Sequence, residues 1–473
     1  MAQMADAAEP VVERWTYDVN EKAPAFGHAI RSFWGFDPKY INLNHGSLGA
    51  PPLPVLKRCH EFATLTERNP DRFYRLTAPP LLNEARKHAA QAIGADHDEV
   101  VLIPNALQAI TTVLANFEWK EGDVLLGANT SYIAVSRYLQ FLGDRSEQPR
   151  PDVHTIEYAF PLTSKEILDQ FRSEIWKIKQ LYPNDMFDDI PNISRPGRIG
   201  SKSTGKNKFV VILDSITPMP SVVMPWKEMV KICREEGAWS VVDGAQSVGQ
   251  ELNINVSTAK PDFFITNCHK WLYAKRGCSV LYVPKRNQHI IRSSIPTGAK
   301  YVARSVEAVC KNFIDQHTLN ATVDLVPFLS ITPAVQFRKW LGGEVQINMY
   351  CQQLAVAGGW KLAEVLGTEV LDSTGEMIRN MTTVRLPLPA EELSEQVYTP
   401  DLRTKISAIF TERLLEEWNA YAVCFFYRGK WWCRCSAQVY NELADFEYVG
   451  RAIKKICEEI RETILLSAEN NRF

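Results

Sequence analysis

An aspartate and a lysine, each at the end of an apolar segment, have the most specific chemistry in this chain. Asp243 follows the apolar residues 241–242 and precedes Gly244. Lys270 follows the apolar residues 263–265 and stands 27 positions after Asp243 (270 − 243). In a parallel sheet both side chains emerge at the carboxyl edge, where open α/β sheets bind ligands. A lysine amine can bond a cofactor's aldehyde and a carboxylate can keep a ring nitrogen protonated, so the pair predicts a pyridoxal phosphate (PLP) site.

A strand-to-helix junction upstream of this pair predicts the phosphate anchor. Residues 100–103 are typical of a strand, Pro104 ends it, and Asn105 suits the N-cap of a helix. The free amides of Ala106 and Leu107 would then face a phosphate at the positive end of the helix dipole. This signal is weak alone, because every capped helix offers such amides.

The ring of such a cofactor needs partners on its edge and its face. Asp243 is predicted to pair with the pyridine nitrogen, and Gln246 to reach the ring hydroxyl. Tyr132 is the candidate for stacking on the ring, and its phenol is also a candidate acid or base. An Asp-Gly turn, a packing tyrosine and a solvated lysine remain ordinary alternatives for these residues taken singly.

An arginine lies within an apolar, strand-like segment near the C-terminus, where Arg434 is flanked by Cys433 and Cys435. A charge in such a setting seldom lacks an anion. A guanidinium binds a carboxylate through two hydrogen bonds, as an enzyme acting on amino acids requires. A structural pair of arginine and acid remains the alternative. The two cysteines have no second close pair, so no metal site is predicted.

The composition is that of an ordinary globular protein. Its 473 residues are 45% hydrophobic and 23% charged, and the net charge is -2. These values favour neither nucleic acid nor a membrane as a partner, and no apolar run is long enough to span a bilayer. The first 13 residues lack the features of a secretory signal, so a cytoplasmic protein with reduced cysteines is expected.

The order of segments predicts an α/β fold, with a large domain built on a mostly parallel central sheet and a smaller C-terminal α+β domain. Helix signals between the strands include a capping-box spacing at Thr163 and Glu166, and Gly237 at a helix C-terminus. The predicted division is an N-terminal segment (1–50), a large PLP-binding domain (51–315) and a small domain (316–473). Residues 183–208 are predicted to form a surface insertion. The predicted strands are 100–103, 124–126, 209–213, 240–242, 263–265 and 279–283.

The chain resembles the class V aminotransferase family of fold-type I PLP enzymes from about residue 40 to residue 460, and within it the isopenicillin-N-epimerase-like members. The core of the resemblance is the pair of segments 243–246 and 269–272, in which Lys270 follows His269. Ser215, where histidine is common, and Asn267, where desulfurases often carry serine, depart from the family pattern. The remaining segments that carry the resemblance are 42–49, 69–73, 214–217, 434–436 and 440–441.

The resemblance implies site residues beyond those derived above. For the cofactor it adds Asp214, Thr217, Asn267 and His269. For the substrate it implies Asn44, His45, Gly46, Arg72 and Arg434. Thr297 and Thr322 would reach the phosphate held by the partner subunit, which implies a homodimer.

The resemblance also implies an activity, that of a carbon–sulfur lyase acting on a cysteine-conjugate sulfoxide. Hercynylcysteine sulfoxide would yield a sulfenic acid, pyruvate and ammonia, and a thiol reductant would convert the sulfenic acid to ergothioneine. Lys270 would move the α-proton, and Tyr132 is the candidate acid for the leaving group. Phe73, Tyr74 and Trp34 are candidate walls for the substrate's trimethylammonium group.

Three other functions remain open at this point. A cysteine desulfurase or selenocysteine lyase would need a nucleophilic cysteine, and Cys424 lies ten positions before Arg434 (434 − 424). An amino-acid epimerase would use the same ring and lysine. A scaffold that has lost catalysis would keep the fold, and the intact Asp243, Lys270 and Arg434 argue against it.

Overall fold

The computed structural model describes residues 13–146, 149–183, 186–187, 206–291, 313–318, 322–389 and 398–462. The chain packs as two compact units. The central unit is Phe62–Val335, and the terminal unit joins Met1–Glu61 to Gln336–Phe473. The three-part domain division expected from the sequence stays a prediction.

Between residues 100 and 267, the described strands and helices alternate, as expected of an α/β fold. The strands are β1 (Ile41–Asn42), β2 (Val100–Ile103), β3 (Val124–Ala128), β4 (Asp152–Ile156), β5 (Phe209–Asp214), β6 (Trp239–Asp243), β7 (Phe263–Asn267), β8 (Ser279–Tyr282), β9 (Met381–Arg385), β10 (Ala420–Tyr421), β11 (Val423–Tyr427) and β12 (Lys430–Ser436). The α-helices are α1 (His45–Leu48), α2 (Leu53–Arg68), α3 (Pro70–Arg72), α4 (Ala78–Ile93), α5 (Ala106–Asn116), α6 (Ile133–Gly143), α7 (Ser164–Gln180), α8 (Trp226–Glu235), α9 (Val256–Ala259), α10 (Phe313–Thr318), α11 (Val326–Leu329), α12 (Ile331–Trp340), α13 (Gly343–Leu366), α14 (Pro400–Glu416) and α15 (Leu443–Ile460).

The central unit is built on a seven-stranded sheet with the order β2-β8-β7-β6-β5-β3-β4. Strands β7, β6, β5, β3 and β4 run parallel to one another, whereas β8 is antiparallel to both β2 and β7. Every residue of β5 and β7 is buried, which explains their continuous apolar sequences. The predicted α/β fold with a mostly parallel sheet is confirmed.

The helix ends of the central unit follow the local signals in the sequence. Thr163 and Glu166 form the predicted capping box at the start of α7. Asn105 caps α5 through its side chain. Gly237 follows α8 with a φ of 69°, a left-handed conformation that glycine adopts without a steric penalty. These residues determine where α5 and α7 begin and where α8 ends.

The terminal unit contains a three-stranded antiparallel sheet with the order β11-β12-β9 and the parallel pair β1-β10. Helices α13 and α15 pack together over this sheet through small residues. A side chain at Gly358 would collide with the ring of Phe446, so glycine allows this close approach. The segment 13–61 therefore folds with the C-terminal part of the chain.

In the central sheet, strand β4 was not predicted from the sequence. It lies at the edge of the sheet, and its residues Asp152, Val153 and Thr155 are exposed. An edge strand with one solvent-exposed face has no continuous apolar run. Such a run is the signal from which the other strands of this sheet were predicted. Most of the predicted insertion 183–208 lies outside the described residues. Among the described helices, none is both long and apolar enough to cross a membrane.

Candidate active site

Three parallel strands end at the same edge of the central sheet and carry the predicted cofactor residues. Asp214, Asp243 and Asn267 are the last residues of β5, β6 and β7. Asp214 and Asp243 are register partners, and Lys270 lies three residues beyond Asn267. The positive charge of Lys270 also acts on Asp243. The predicted placement of the acid and the lysine at one carboxyl edge is therefore confirmed.

Two buried carboxyl groups stand side by side at this edge. Asp243 accepts a hydrogen bond from the Ala245 amide at 2.9 Å, and Asp214 accepts one from Ser131 Oγ at 2.6 Å. Burial raises the pKa of Asp243, against the opposing effects of the Ala245 amide and Lys270. Burial and the nearby Asp243 raise the pKa of Asp214 to about 8.

The start of α5 has one amide available for a ligand. The Asn105 side chain accepts the Gln108 amide at 2.8 Å, and the Asn105 carbonyl accepts the Ala109 amide at 3.1 Å. The amide of Ala106 also donates to a protein oxygen. In the first turn, Leu107 has the one amide that meets no acceptor within the described part of the chain. The Leu107 amide is thus the N–H group at the positive end of α5 that can bind a ligand.

Asn267 is the acceptor for Ala106, with its Oδ1 3.0 Å from the amide nitrogen. The expectation of a free amide at Ala106 was therefore wrong, because the side chain of Asn267, the last residue of β7, accepts its hydrogen bond. Ser279 Oγ donates to the same Oδ1 at 2.5 Å. With that oxygen accepting twice, the amide nitrogen is the end of Asn267 that can donate to an anion. The cofactor roles of Ala106, Leu107 and Asn267 stay predictions.

His269 is held in one neutral form. Its Nδ1 lies 2.9 Å from the carbonyl oxygen of Cys278, so Nδ1 carries the proton and Nε2 presents a lone pair. Burial, helped by Lys270 and Arg276, lowers the pKa of His269 to about 4 despite the opposing effect of that hydrogen bond. His269 is uncharged at neutral pH in the absence of a ligand.

Gln246 and Thr217 are oriented by neighbouring groups. Trp271 Nε1 donates to Gln246 Oε1 at 2.7 Å, which fixes the direction of the Gln246 amide. Thr217 Oγ1 donates to the carbonyl of Pro220 at 2.6 Å and accepts the amide of Val222 at 3.1 Å. The Thr217 hydroxyl therefore closes the turn after β5, and its contact with a cofactor stays a prediction.

Tyr132 precedes α6, and its carbonyl accepts the amides of Val135 at 2.8 Å and Ser136 at 3.1 Å. Its side chain is 47% exposed. The adjacent Ser131 bonds to Asp214, which ties this segment to the carboxyl pair. The exposed phenol suits either predicted role, stacking or proton donation, and both stay predictions.

A second polar cluster lies in the terminal unit around Arg434, in β12. Arg434 is 3% exposed, and its guanidinium donates from Nη2 to Asn44 Oδ1 at 2.9 Å and to Ser47 Oγ at 2.5 Å. Ser47 Oγ in turn donates to Asn44 Oδ1 at 2.6 Å. Burial lowers the pKa of Arg434 to about 10, so it remains a cation at neutral pH. Both oxygens are uncharged, so they orient the cation without neutralising it.

The segment that begins at Asn42 is joined to the segment that follows Arg434. Asn42 Nδ2 donates to Tyr440 Oη at 3.2 Å, and His45 Nδ1 lies 2.9 Å from the same oxygen. The Gly46 amide donates to Ser436 Oγ at 3.1 Å. The structure thus brings together two predicted substrate segments from opposite ends of the chain.

The cysteines near Arg434 are packed among themselves. Cys424 faces Cys433 across the β11-β12 pair, and Cys433 Sγ lies 3.7 Å from Cys435 Sγ. Burial raises the pKa of Cys424. The nine cysteines of the described segments are free thiols, eight of them buried and Cys424 half-buried. Such thiols are poor nucleophiles at neutral pH.

Some predicted residues are not joined to either cluster in the described structure. Arg72 and Thr322 are exposed. Among the predicted aromatic walls, Phe73 is 2% exposed, and Tyr74 Oη donates to the Val323 carbonyl at 3.0 Å. Trp34, by contrast, packs edge-on against Tyr440 with ring centroids 4.9 Å apart, so it contacts the segment that follows Arg434. Thr297 lies outside the described residues.

Four residues in these clusters were missed by reasoning from the sequence, namely Ser47, Ser131, Trp271 and Ser279. Ser131 and Ser47 adjoin or lie within segments already singled out, so proximity was an available signal. Ser279 bonds to Asn267 because the two residues are register partners across β7 and β8. No feature of the sequence reveals that pairing before the strand order is known.

Comparison with known proteins agrees with this arrangement. Residues 202–387 match the family model "Aminotransferase class-V". The chain is 34% identical to the L-cysteine desulfhydrase-like protein lolT1 of Epichloe uncinata, over 93% of this chain and 98% of that protein. It is 28% identical to the hercynylcysteine sulfoxide lyase of Schizosaccharomyces pombe, over 91% of this chain and 98% of that protein. The fold matches the cystine C–S lyase C-DES with a TM-score of 0.64 at 16% identity, covering 88% of this chain and 98% of that one.

The groups at the sheet edge fit PLP, because they offer a carboxylate, a lysine amine and two neutral N–H donors, the Leu107 amide at the helix start and the side-chain amide of Asn267. The fold and these residues, with the matches above, define a PLP-dependent enzyme of fold type I. Within that class, the chain belongs to the class V aminotransferase family, among its carbon–sulfur lyases and cysteine-desulfhydrase-like proteins.

Proposed function

We propose that this enzyme is a carbon–sulfur β-lyase that eliminates a sulfenic acid from a cysteine-conjugate sulfoxide, with hercynylcysteine sulfoxide as its substrate. The hercynylcysteine sulfoxide lyase of Schizosaccharomyces pombe, similar over nearly its whole length, supports this choice. A β-elimination yields pyruvate and ammonia after hydrolysis, together with the sulfenic acid.

The state of the cysteines near Arg434 is the observation that favours elimination over desulfuration. A desulfurase attacks the substrate sulfur with its own thiolate. Cys424 is half-buried in a strand against Cys433, and its pKa is raised. Burial opposes formation of the thiolate, and the strand pairing opposes movement towards a substrate. Elimination needs no enzyme thiol, so this environment is compatible with it.

The proposed reaction begins with binding and proton transfer. Arg434, oriented by Asn44 and Ser47, holds the substrate carboxylate. The amine of Lys270 takes the α-proton. When bound, PLP supplies an electron sink for the charge that develops at the α-carbon, and Asp243 keeps the ring nitrogen protonated.

Departure of the sulfur completes the proposed reaction. The bond between the β-carbon and sulfur breaks with its electron pair on the leaving sulfoxide group, which accepts a proton to become the sulfenic acid. Tyr132 Oη is the proposed donor of that proton. The remaining aminoacrylate takes up one water to give pyruvate and ammonia, and a thiol outside the enzyme reduces the sulfenic acid.

The proposal also includes roles for the other site residues. Gln246, Asn267, His269 and the amide of Leu107 contact the cofactor, whereas His45, Gly46 and Arg72 contact the substrate. Thr297 and Thr322 serve the phosphate of a partner subunit in a cytoplasmic homodimer. Size measurement in solution, with and without cofactor, tests the dimer.

A cysteine desulfhydrase is the second candidate, because the relative at 34% identity bears that description. It would release pyruvate, ammonia and sulfide from cysteine by the same elimination. The substrate therefore separates the two candidates, and the type of bond cleavage does not.

An end-point assay of PLP-loaded enzyme with hercynylcysteine sulfoxide, and separately with cysteine, tests these candidates. Pyruvate and ammonia from the sulfoxide, with ergothioneine after thiol reduction, are the expected products. Pyruvate and sulfide from cysteine, with the sulfoxide unchanged, would instead establish the desulfhydrase. Alanine from cysteine would establish a desulfurase. Cys424→Ala should keep at least half of the lyase rate, whereas a desulfurase nucleophile would lose about a hundredfold or more.

A further inference from the structure

The carboxyl groups of Asp214 and Asp243 are close enough to interact strongly. They end adjacent parallel strands as register partners, and neighbouring strands lie about 4.8 Å apart. Asp214 is 5% exposed and Asp243 is 6% exposed. Two anions held this close in a buried setting repel each other, and such a pair commonly retains one proton.

We propose that Asp214 and Asp243 share one proton at neutral pH, that Asp214 carries it, and that Ser131 is the positioning residue for this neutral acid. This proposal extends the cofactor role proposed for Asp243 to its neighbour, and it rests on that role. It assigns Asp214 a role as an uncharged hydrogen-bond donor beside the cofactor ring.

The unequal surroundings of the two carboxyl groups decide which of them keeps the proton. Asp243 receives the Ala245 amide at 2.9 Å and lies in the field of the Lys270 cation. Asp214 receives the hydroxyl of Ser131 at 2.6 Å, which stabilises an anion less than an amide and a cation together do. The ionised form is therefore better supported at Asp243.

The titration of Asp214 agrees with this assignment. Its pKa is raised to about 8 by burial and by Asp243, with Ser131 opposing the rise. The buried phenol of Tyr158 lies in the field of Asp214, and its own pKa is raised by burial and by Asp214. The phenol is neutral over the same range, so it adds no charge that would draw the proton away.

The proton changes what this edge offers to a ligand. A neutral carboxylic acid donates a hydrogen bond, whereas a carboxylate only accepts. With Asp214 neutral, Asp243 supplies one negative charge to match one protonated ring nitrogen. With both ionised, the second charge would be left unpaired in a buried site.

Thermal unfolding of the full-length, cofactor-free protein between pH 5 and pH 9 tests the shared proton. A carboxyl group whose folded pKa is raised stabilises the fold fully below its unfolded pKa, and this contribution is lost as pH rises to the folded pKa. The side-chain amide introduced by Asp214→Asn cannot ionise, so the Tm of this variant relative to the wild type should rise with pH up to about pH 8 and then level. A difference that stays constant, or that falls with pH, would overturn the proposal.

Variants of Ser131 provide a second set of Tm profiles, which does not depend on how well Asp214→Asn folds. Removing its hydroxyl in Ser131→Ala takes away a donor to the Asp214 anion, so the pH dependence of Tm should extend to higher pH. Ser131→Thr should restore the wild-type profile. Equal profiles for Ser131→Ala and the wild type would contradict the positioning role. Asp169→Asn, which removes an exposed carboxylate on α7, is the control for general charge effects.

Cofactor affinity identifies the member that carries the proton. Asp214→Asn keeps a neutral donor and should weaken PLP binding by less than threefold, whereas Asp243→Asn should weaken it by more than tenfold. The reverse order would place the proton on Asp243 and overturn the assignment. Neither readout uses the lyase substrate, so failure of the proposed reaction leaves both tests intact.

Discussion

Nη2 of Arg434 lies 2.9 Å from Oδ1 of Asn44, although 390 positions separate the two residues along the chain. Ser47 bonds to both of them and completes a triangle of short contacts. The guanidinium is thereby held in one direction by uncharged oxygens. An oriented, buried cation of this kind is ready to bind a carboxylate without first breaking an ion pair to these partners.

Substitution of Asn44 should impair substrate binding more than cofactor binding. Asn44→Ala removes a hydrogen bond to a cation, worth about 1.5–3 kcal/mol, so KM should rise by about tenfold or more. Asn44→Asp should raise KM further, because its carboxylate would occupy the arginine. Steady-state kinetics and PLP titration measure the two effects. The exposed Asn20→Ala is the control, and an unchanged KM in Asn44→Asp would exclude a substrate carboxylate at Arg434.

Substitution of Tyr132 should separate its two predicted roles. Tyr132→Phe keeps the ring and removes the hydroxyl, so a proton donor should lose about 10–100-fold in kcat while PLP affinity is kept. Tyr132→Ala should lower both quantities if the ring also stacks on the cofactor. Tyr138→Phe, on the helix that follows Tyr132, controls for the loss of a phenol. Full activity in Tyr132→Phe would limit Tyr132 to stacking.

Substitution of Asn267 should act mainly on the phosphate. Asn267→Asp keeps an acceptor for Ala106 and Ser279 but places a negative charge beside an anionic ligand. We expect Asn267→Asp to weaken PLP binding more than Asn267→Ala does, by about tenfold relative to it. Equilibrium dialysis measures the dissociation constants. Equal constants for the two variants would mean that no phosphate lies near this side chain.

The neutral state of His269 predicts an acid-sensitive fold for the cofactor-free protein. Its pKa is lowered to about 4 by burial, so its contribution to stability is complete above the unfolded pKa of about 6.5. That contribution is lost as pH falls from about 6.5 to 4, at a cost of up to about 3 kcal/mol. His269→Gln should flatten the stability curve in this window, measured by urea unfolding at several pH values. His154→Gln is the matched control for the loss of an imidazole, and a slope retained by His269→Gln would refute the assignment.

The sequence carried enough information to predict the parallel sheet and the edge on which Asp243 and Lys270 meet. Each of those strands is continuously apolar and ends at a polar residue, which is a local signal. The Asn105 cap and the Thr163 capping box are local as well, and both were predicted correctly.

The contacts that were missed depend on distant residues. Ala106 loses its free amide to Asn267, which follows it by 161 positions, and Ser131 reaches Asp214, which follows it by 83. Strand β4 was missed because an edge strand needs no apolar run on its wet face. Local patterns therefore predict where a polar side chain emerges, and the strand order decides which partner it finds.

The composition of the two units also constrains the order in which a nascent chain can mature. The central unit is one uninterrupted segment, so its sheet can close while later residues are still being synthesised. The cluster around Arg434 cannot form at that stage, because Asn44 bonds to a residue of β12, which is synthesised later. Chains that end before Arg434 would thus keep the central sheet but lack the hydrogen bonds from Arg434 to Asn44 and Ser47. Such truncated chains would serve as natural probes of how far the central unit folds alone.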